Sequence, residues 1–399
     1  FLMFLAVVAE LKPFPANGWA LDIYESAHPG FAAIFSAAMA GGAALYAVDK
    51  LLLIGGPAWY PVATAIGILS FVAANLFALP QNNDRRLLGY SSVGQVGLVL
   101  TAVGLQDVLG EDYLMIAGGL LLSHAVAKAG LYWLSGLVEN RDLTAWAVLR
   151  RHPVLLLAFV TFVAMLTGLP PFPGFYAKWE LVHVLAQEGR LVLMGLILFG
   201  TLVEAGYLFR WFGYIIKRDP GDVQMDLPRH RLATVFVAML ASWLLAYLWG
   251  ELSPQANLLH GVPLLFALAF LLLDWLPARV KNTLAIAGLL AWFVVCYPSY
   301  DPLQLIFGAI VLVGGAVILL ASFYNNGRRT GFYPSAMLMY AGLAMLIVAK
   351  DSFTFFAAWE FRTIGSYFLI MRGKRSEPHA LSYILFSLGG AFLILAAFA

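Results

Sequence analysis

The chain has 399 residues, 62% of them hydrophobic and 12% charged, with a formal net charge of +2. A soluble domain is about half apolar and about a quarter charged, so this composition excludes an ordinary water-soluble fold. The near-neutral balance without basic runs excludes a nucleic-acid partner. The one cysteine, Cys296, excludes an internal disulfide and any cysteine-ligated iron–sulfur cluster.

Uncharged runs recur at 51–83, 153–177, 232–250, 256–273, 302–327 and 380–399. Such runs of about 18 residues or more mark membrane-spanning helices. The pattern predicts an all-α polytopic membrane protein of about fourteen helices: 1–9, 30–48, 57–79, 87–105, 113–137, 153–177, 191–216, 231–250, 257–275, 282–298, 303–323, 332–349, 353–371 and 379–399. The chain starts at Phe1 inside an apolar stretch too short to cross a bilayer, with no basic segment before it. The first helix therefore reads as truncated, and the sequence as a piece of a longer protein rather than one with a signal peptide.

The loops support that helix count. Arg85 and Arg86 lie in 80–86, Arg141, Arg150 and Arg151 in 138–152, and Lys217, Arg218 and Arg229 in 217–230. Arg279 and Lys281 lie in 276–281, Arg328 and Arg329 in 324–331, and Arg372, Lys374 and Arg375 in 372–378. The loops between them are acidic, mixed or neutral. Basic residues thus favour every second loop, which places those loops on the cytoplasmic side.

Two breaks interrupt the helical pattern. "TGLPPFPGF" (167–175) puts three prolines and two glycines inside an apolar stretch. Proline removes a backbone donor and clashes with the preceding turn. Irregular backbone at membrane depth is tolerated only inside protein or beside water. The segment therefore reads as a broken helix lining a polar interior, or else as a loop between two short helices. "LKPFPANGW" (11–19) is a similar break near the start.

Charges inside the apolar runs are the functional candidates. Lys128 stands mid-helix in "LLLSHAVAKAGLYWLSGLVE" (120–139), far from Asp112 on one side and Glu139 on the other. A lysine at that depth costs roughly 2.5–3.5 kcal/mol on insertion scales and faces a bundle interior or a wet cavity. His124 precedes it by one turn on the same face. A lysine that loses and regains a proton at working pH, beside a histidine suited to handing protons on, makes a proton relay; a packing lysine paired once with a carboxylate is the alternative. Glu360, in "DSFTFFAAWEFRTIGSYFLIM", is also near mid-membrane. Lys178 follows the second break in "GFYAKWE", and on position alone it reads as an interfacial anchor. Glu204 lies in an apolar run, and an ion pair with Arg210 is the simpler account. The other histidines, His28, His152, His183, His230, His260 and His379, show no metal-ligand spacing. No P-loop, Rossmann fingerprint or Ser–His–Asp order is present, so nothing points to a cofactor or to covalent catalysis.

Three segments together resemble one family: the antiporter-like proton-channel subunits shared by respiratory complex I, membrane-bound hydrogenases and Mrp-type cation/proton antiporters. "QNNDRRLLGYSSVGQVGLVL" (81–100) resembles its Asp-x-Lys-Arg-x-x-Ala-Tyr-Ser-Ser stretch. "SHAVAKAGLYWLSG" (123–136) resembles its His-x-x-x-Lys helix, and "GLPPFPGFYAKWE" (168–180) its broken late helix ending in a functional Lys or Glu. Order and spacing agree, over roughly residues 1–250. "KPFPANGWALDIYESAHP" (12–29) resembles the family's Pro-Phe-His-x-Trp-x-Pro-Asp segment with departures: Asn17 replaces the usual His and Leu21 the usual Pro. The family lysine of the preceding half-helix aligns with Glu10, with Lys12 as a displaced candidate, and Ala40 stands about where another lysine is common. Residues 257–399 resemble the first helices of a second such subunit, with Glu360 matching the family's buried glutamate. The family's usual order is thereby reversed. Residues 1–250 thus resemble the C-terminal half of a first module, and 257–399 the N-terminal half of a second, fused near 251–258.

The resemblance implies a proton-translocating membrane subunit of a redox-driven complex, moving protons along Lys128, His124, Lys178, Glu360 and Glu10 or Lys12. With no redox centre of its own in the sequence, the chain would take part in a translocase reaction whose electrons flow through other membrane subunits, antiporter-like neighbours among them. It would sit in the lipid bilayer of a prokaryotic cytoplasmic membrane. An Mrp-type sodium/proton antiporter subunit and a non-pumping membrane scaffold are the alternatives.

Overall fold

A computed structural model of the chain describes residues 2–37, 42, 44–219, 221–252, 262–321, 331–373 and 376–398. The described residues are helical, with two isolated β-bridges between loops and no strand. The chain divides into two compact units, one reaching to Ala256 and the other running from Asn257 to Phe398. The expected junction near 251–258 lies largely outside the described residues, as does Ala40.

In the first unit the helices are α1 (Leu2–Glu10), α2 (Gly18–Ser26), α3 (Pro29–Ile34), α4 (Ala44–Gly55), α5 (Tyr60–Ala78), α6 (Asp84–Val103), α7 (Gln106–Leu109), α8 (Tyr113–Ser135), α9 (Pro153–Thr167), α10 (Pro173–Gln187), α11 (Leu191–Lys217) and α12 (Arg229–Leu252). Among the described residues, seven helices of the whole chain are long and apolar enough to cross a membrane, and Pro153–Thr167 is one of three shorter apolar ones. The protein is an integral membrane protein.

α6 is the axis of this unit, buried along nearly its whole length. Glycine lets α5 lie against it at backbone distance. A Cβ on Gly97 would stand 2.7 Å from the Gly67 carbonyl oxygen and 2.8 Å from the Phe71 nitrogen. Without a hydrophobic drive between helices in lipid, close backbone packing through small residues supplies the contact. α8 packs on α6 and is enclosed by α3, α9, α10 and α12. α6 also starts earlier than the pattern predicts. Asn83 caps it, accepting from the amides of Arg85 and Arg86, so Asp84 is the first helical residue rather than part of a linker.

The stretch 30–48 holds α3, a π-turn at 35–37 and α4, with 38–41 and 43 outside the described residues. α4 continues past Asp49 and Lys50 to Gly55, where Gly56 (φ 84°) and Pro57 end it. Charge at a helix end is tolerated, so the charged pair did not mark the stop. The stretch 153–177 breaks as expected. α9 stops at Gly168, which is left-handed at φ 78°, and α10 restarts with Pro173 in its first turn. The freed Gly174 amide donates to Ser123 Oγ on α8 at 2.7 Å. Near the start, α1 ends in a turn at Lys12 (φ 52°) before α2 begins.

The second unit holds α13 (Val262–Leu272), α14 (Ala278–Cys296), α15 (Pro302–Gly308), a π-helical turn at Ala309–Val313, α16 (Gly314–Ala321), α17 (Phe332–Val348), α18 (Ser352–Met371) and α19 (Glu377–Phe398). Leu289, Leu312, Leu319, Met337 and Ala344 form part of its core. At one end Asp274 pairs with Lys281 (2.6 Å) and accepts the Gly331 amide (2.6 Å).

Candidate functional site

Hydrophobic helices that bury this much surface leave few places for ionisable groups, and in the first unit those groups collect along α6 and α8. His124, Lys128 and Tyr132 follow one another at four-residue spacing on α8. That spacing puts them on one face, and all three are buried. Lys128 is fully buried, and its nitrogen donates to the Leu88 carbonyl on α6 at 3.0 Å. No carboxylate lies within ion-pair distance of it among the described residues. Lys128 is within electrostatic reach of Glu204 and of Lys12.

His124 places Nε2 3.3 Å from the Ser36 carbonyl oxygen, at the π-turn after α3. A carbonyl only accepts, so Nε2 carries the hydrogen in this contact and Nδ1 is the basic nitrogen of the neutral ring. Nδ1 is buried and has no hydrogen-bond partner among the described residues.

Lys178 lies on the first turns of α10, and the break before it is what brings it inward. Its nitrogen donates to the Thr167 carbonyl at 3.2 Å and pairs with Glu204 Oε2 at 3.3 Å. The Glu204 side chain is fully buried, against 12% exposure for Lys178. Gln95 Nε2 of α6 donates to both Glu204 oxygens, at 2.6 and 2.7 Å. The interfacial-anchor reading of Lys178 is therefore corrected, as is the pairing of Glu204 with Arg210. Arg210 instead donates to the Gln81 carbonyl.

Lys12 is also fully buried. Its ammonium donates to Tyr24 OH and, at 3.2 Å, to Ser92 Oγ. It lies 4.4 Å from the Tyr24 ring centroid and 5.1 Å from that of Phe35. Ser92 is 2.8 Å from Ser36 Oγ, so three hydroxyls join Lys12 to the residue whose carbonyl holds His124. Glu10, the aligned position, is exposed at the end of α1. The structure thus brings Lys12, His124, Lys128 and Lys178 into one buried interior and leaves Glu10 out of it. Glu360 is buried on α18 of the second unit, at 5% exposure. Arg362 beside it stacks over Trp359 at 4.3 Å.

Sequence reasoning missed Gln95, Tyr24, Ser36 and Ser92 as members of this interior, and it discounted Glu204. For Glu204 a signal was present: it sits midway along an apolar helix, at a depth like that of Lys128. For the hydroxyls none was, because serine and tyrosine are ordinary in membrane helices.

Buried amines, an imidazole and a carboxylate strung through packed membrane helices are what a chain needs if it is to move charge through its interior. The family model described as NADH:quinone oxidoreductase/Mrp antiporter, TM, matches residues 1–203, and the chain belongs to that family. It is similar to the NADH-quinone oxidoreductase subunit N of Desulforudis audaxviator, 32% identical over 210 residues, covering 49% of this chain and 41% of that one. Among solved structures it is similar to a chain of the membrane-bound sulfane sulfur reductase, an archaeal respiratory membrane complex (TM-score 0.54, 26% identity, 62% of this chain and 53% of that one). It is also similar to a chain of respiratory complex I from Thermus thermophilus with bound aureothin (TM-score 0.53, 25% identity, 62% and 56%). The chain spans about half the length of the proteins it matches.

Proposed function

We propose that the chain is a proton-translocating membrane subunit of a redox-driven complex of the complex I or membrane-bound hydrogenase type, in a prokaryotic cytoplasmic membrane. It would have about fourteen passes, with 1–250 and 257–399 as parts of two fused antiporter-like modules. Protons move along Lys12, His124, Lys128 and Lys178 in the first module, and Glu360 serves the second. Electrons flow through partner subunits. The reading rests on Lys128: a fully buried lysine held by one backbone carbonyl, with no carboxylate in contact among the described residues. A packing lysine would be ion-paired, because burying an unpaired charge is costly. With no counter-charge fixed beside it, the Lys128 amine can empty and refill. The family description also names Mrp antiporters, so sodium/proton exchange without a redox partner is the second reading. The buried Lys12 weighs against a non-pumping scaffold, since it supplies an amine where the aligned position carries Glu10.

The test is Lys128→Arg and Lys128→Ala in the assembled complex, reconstituted into vesicles. Arginine keeps the charge but does not release its proton, its pKa exceeding ~12. Both variants should assemble and lose proton translocation. Full pumping by the arginine variant would show that Lys128 is no relay.

A further inference from the structure

The face of α8 that carries His124 and Lys128 continues past them to the end of the helix. Tyr132 is one turn beyond Lys128 and is fully buried, and its hydroxyl has no hydrogen-bond partner among the described residues. Asp84, Arg85 and Tyr24 lie within electrostatic reach of this hydroxyl. Its ring stacks on Tyr24, with centroids 5.4 Å apart and planes at 15°. A buried hydroxyl left bare carries a desolvation cost that phenylalanine would avoid.

Three residues further, Ser135 Oγ donates to Asp84 Oδ2 at 2.7 Å. The same oxygen accepts from Arg85 Nε and Arg141 Nη1, each at 3.3 Å. Asp84 is completely buried, its other oxygen taking the Arg85 amide at 2.7 Å. No ion pair joins Asp84 to either guanidinium among the described residues; the serine hydroxyl stands between them. Arg141 is half-buried and its loop reaches solvent at Glu139 and Asn140. The loop is fixed to the start of α6 by the Asp84 amide, which donates to the Arg141 carbonyl at 2.9 Å.

We propose that Asp84, Ser135 and Tyr132 form the port through which Lys128 exchanges protons with the aqueous side at the 136–142 loop. The proposal rests on the proton-carrier reading of Lys128. In the loading direction the Asp84 carboxylic acid gives up a proton and becomes a carboxylate. The Ser135 and Tyr132 hydroxyls each accept one proton and pass on their own, with water bridging the gap at the bare phenol. The Lys128 amine gains the proton and becomes an ammonium. Solvent protonates Asp84 again past Arg141.

The test compares Tyr132→Phe, Asp84→Asn and Lys128→Ala in the assembled complex in vesicles, measuring assembly, turnover and proton translocation. Tyr132→Phe removes only an unpartnered hydroxyl, so a packing role predicts wild-type behaviour. The port predicts normal assembly with translocation reduced on the order of a hundredfold, the scale of a lost positioned proton donor. For Asp84→Asn it also predicts partial recovery on adding azide, whose small conjugate acid can carry protons into the vacated site. A structural loss would show no such recovery. If Lys128→Ala is inactive while Tyr132→Phe and Asp84→Asn translocate normally, the port is wrong and the Lys128 reading stands. If Lys128→Ala translocates normally, the reading and the port both fall.

Discussion

The Lys178–Glu204 pair makes a quantitative prediction. At 3.3 Å and an effective dielectric of about 20, the gross attraction is about 5 kcal/mol, much of it offset by desolvation. Glu204→Gln removes the charge but keeps the shape. Lys178 is then an almost buried ammonium without its partner, at a cost of about 3–5 kcal/mol. The amide has one acceptor oxygen where Gln95 now finds two. Part of that cost, about 1–3 kcal/mol, is therefore a donor left facing a donor. Lys178→Met should be of similar size, since it leaves a buried carboxylate that has lost its paired ammonium. The double variant keeps neither charge and should be more stable than either single one, with a coupling energy of at least about 2 kcal/mol. Denaturation of the detergent-solubilised complex, followed by fluorescence and analysed as a double-mutant cycle, measures this. Single-variant losses that add in the double variant to within about 0.5 kcal/mol would refute the pairing.

Lys12→Met keeps the length of the stem against Tyr24 and Phe35 and removes the charge. Translocation in vesicles should fall on the order of a hundredfold with the complex still assembled, and undiminished pumping would remove Lys12 from the pathway. Gly97→Ala should destabilise the first unit by about 1–3 kcal/mol, because the new methyl meets backbone atoms of α5 at 2.7 and 2.8 Å. Gly94→Ala, whose methyl would come nearest the Asn75 side chain, at 3.3 Å, should cost clearly less. Melting curves of the two variants side by side check the order.

Depth along an apolar run was the signal that worked in the sequence. It singled out Lys128 because a whole helix of uncharged residues surrounds it, and burial is complete there. It failed for Lys178, whose distance from the helix end is short when 153–177 is counted as the helix and the loop as beginning after it. Proline and glycine move the real helix start to Pro173, and the lysine then belongs to a half-helix that points inward. It failed for Glu204 because Arg210 is near in sequence. A six-residue separation on an α-helix turns the two side chains to different faces, and Arg210 finds Gln81 instead. The hydroxyl cluster around Lys12 depends on α2, the π-turn and α6 meeting. No local pattern encodes that meeting, and the left-handed turn at Lys12 that delivers the amine into it is not signalled by glycine.

The break between α9 and α10 also governs how the protein meets bilayers of different thickness. Each half has 15 residues, about 22 Å of helix, against a hydrocarbon layer of about 30 Å. Neither half crosses alone, and the two together exceed the layer. Shifting the segment by a few ångströms along the membrane normal therefore changes how deep the break sits without carrying it out of the hydrocarbon. Reconstitution in lipids whose acyl chains differ by two or four carbons should leave the Lys178–Glu204 pair shielded from water. The surplus or deficit of thickness would be taken up at the outer ends of the two rods, at His152 and Gln187, where side chains already meet solvent.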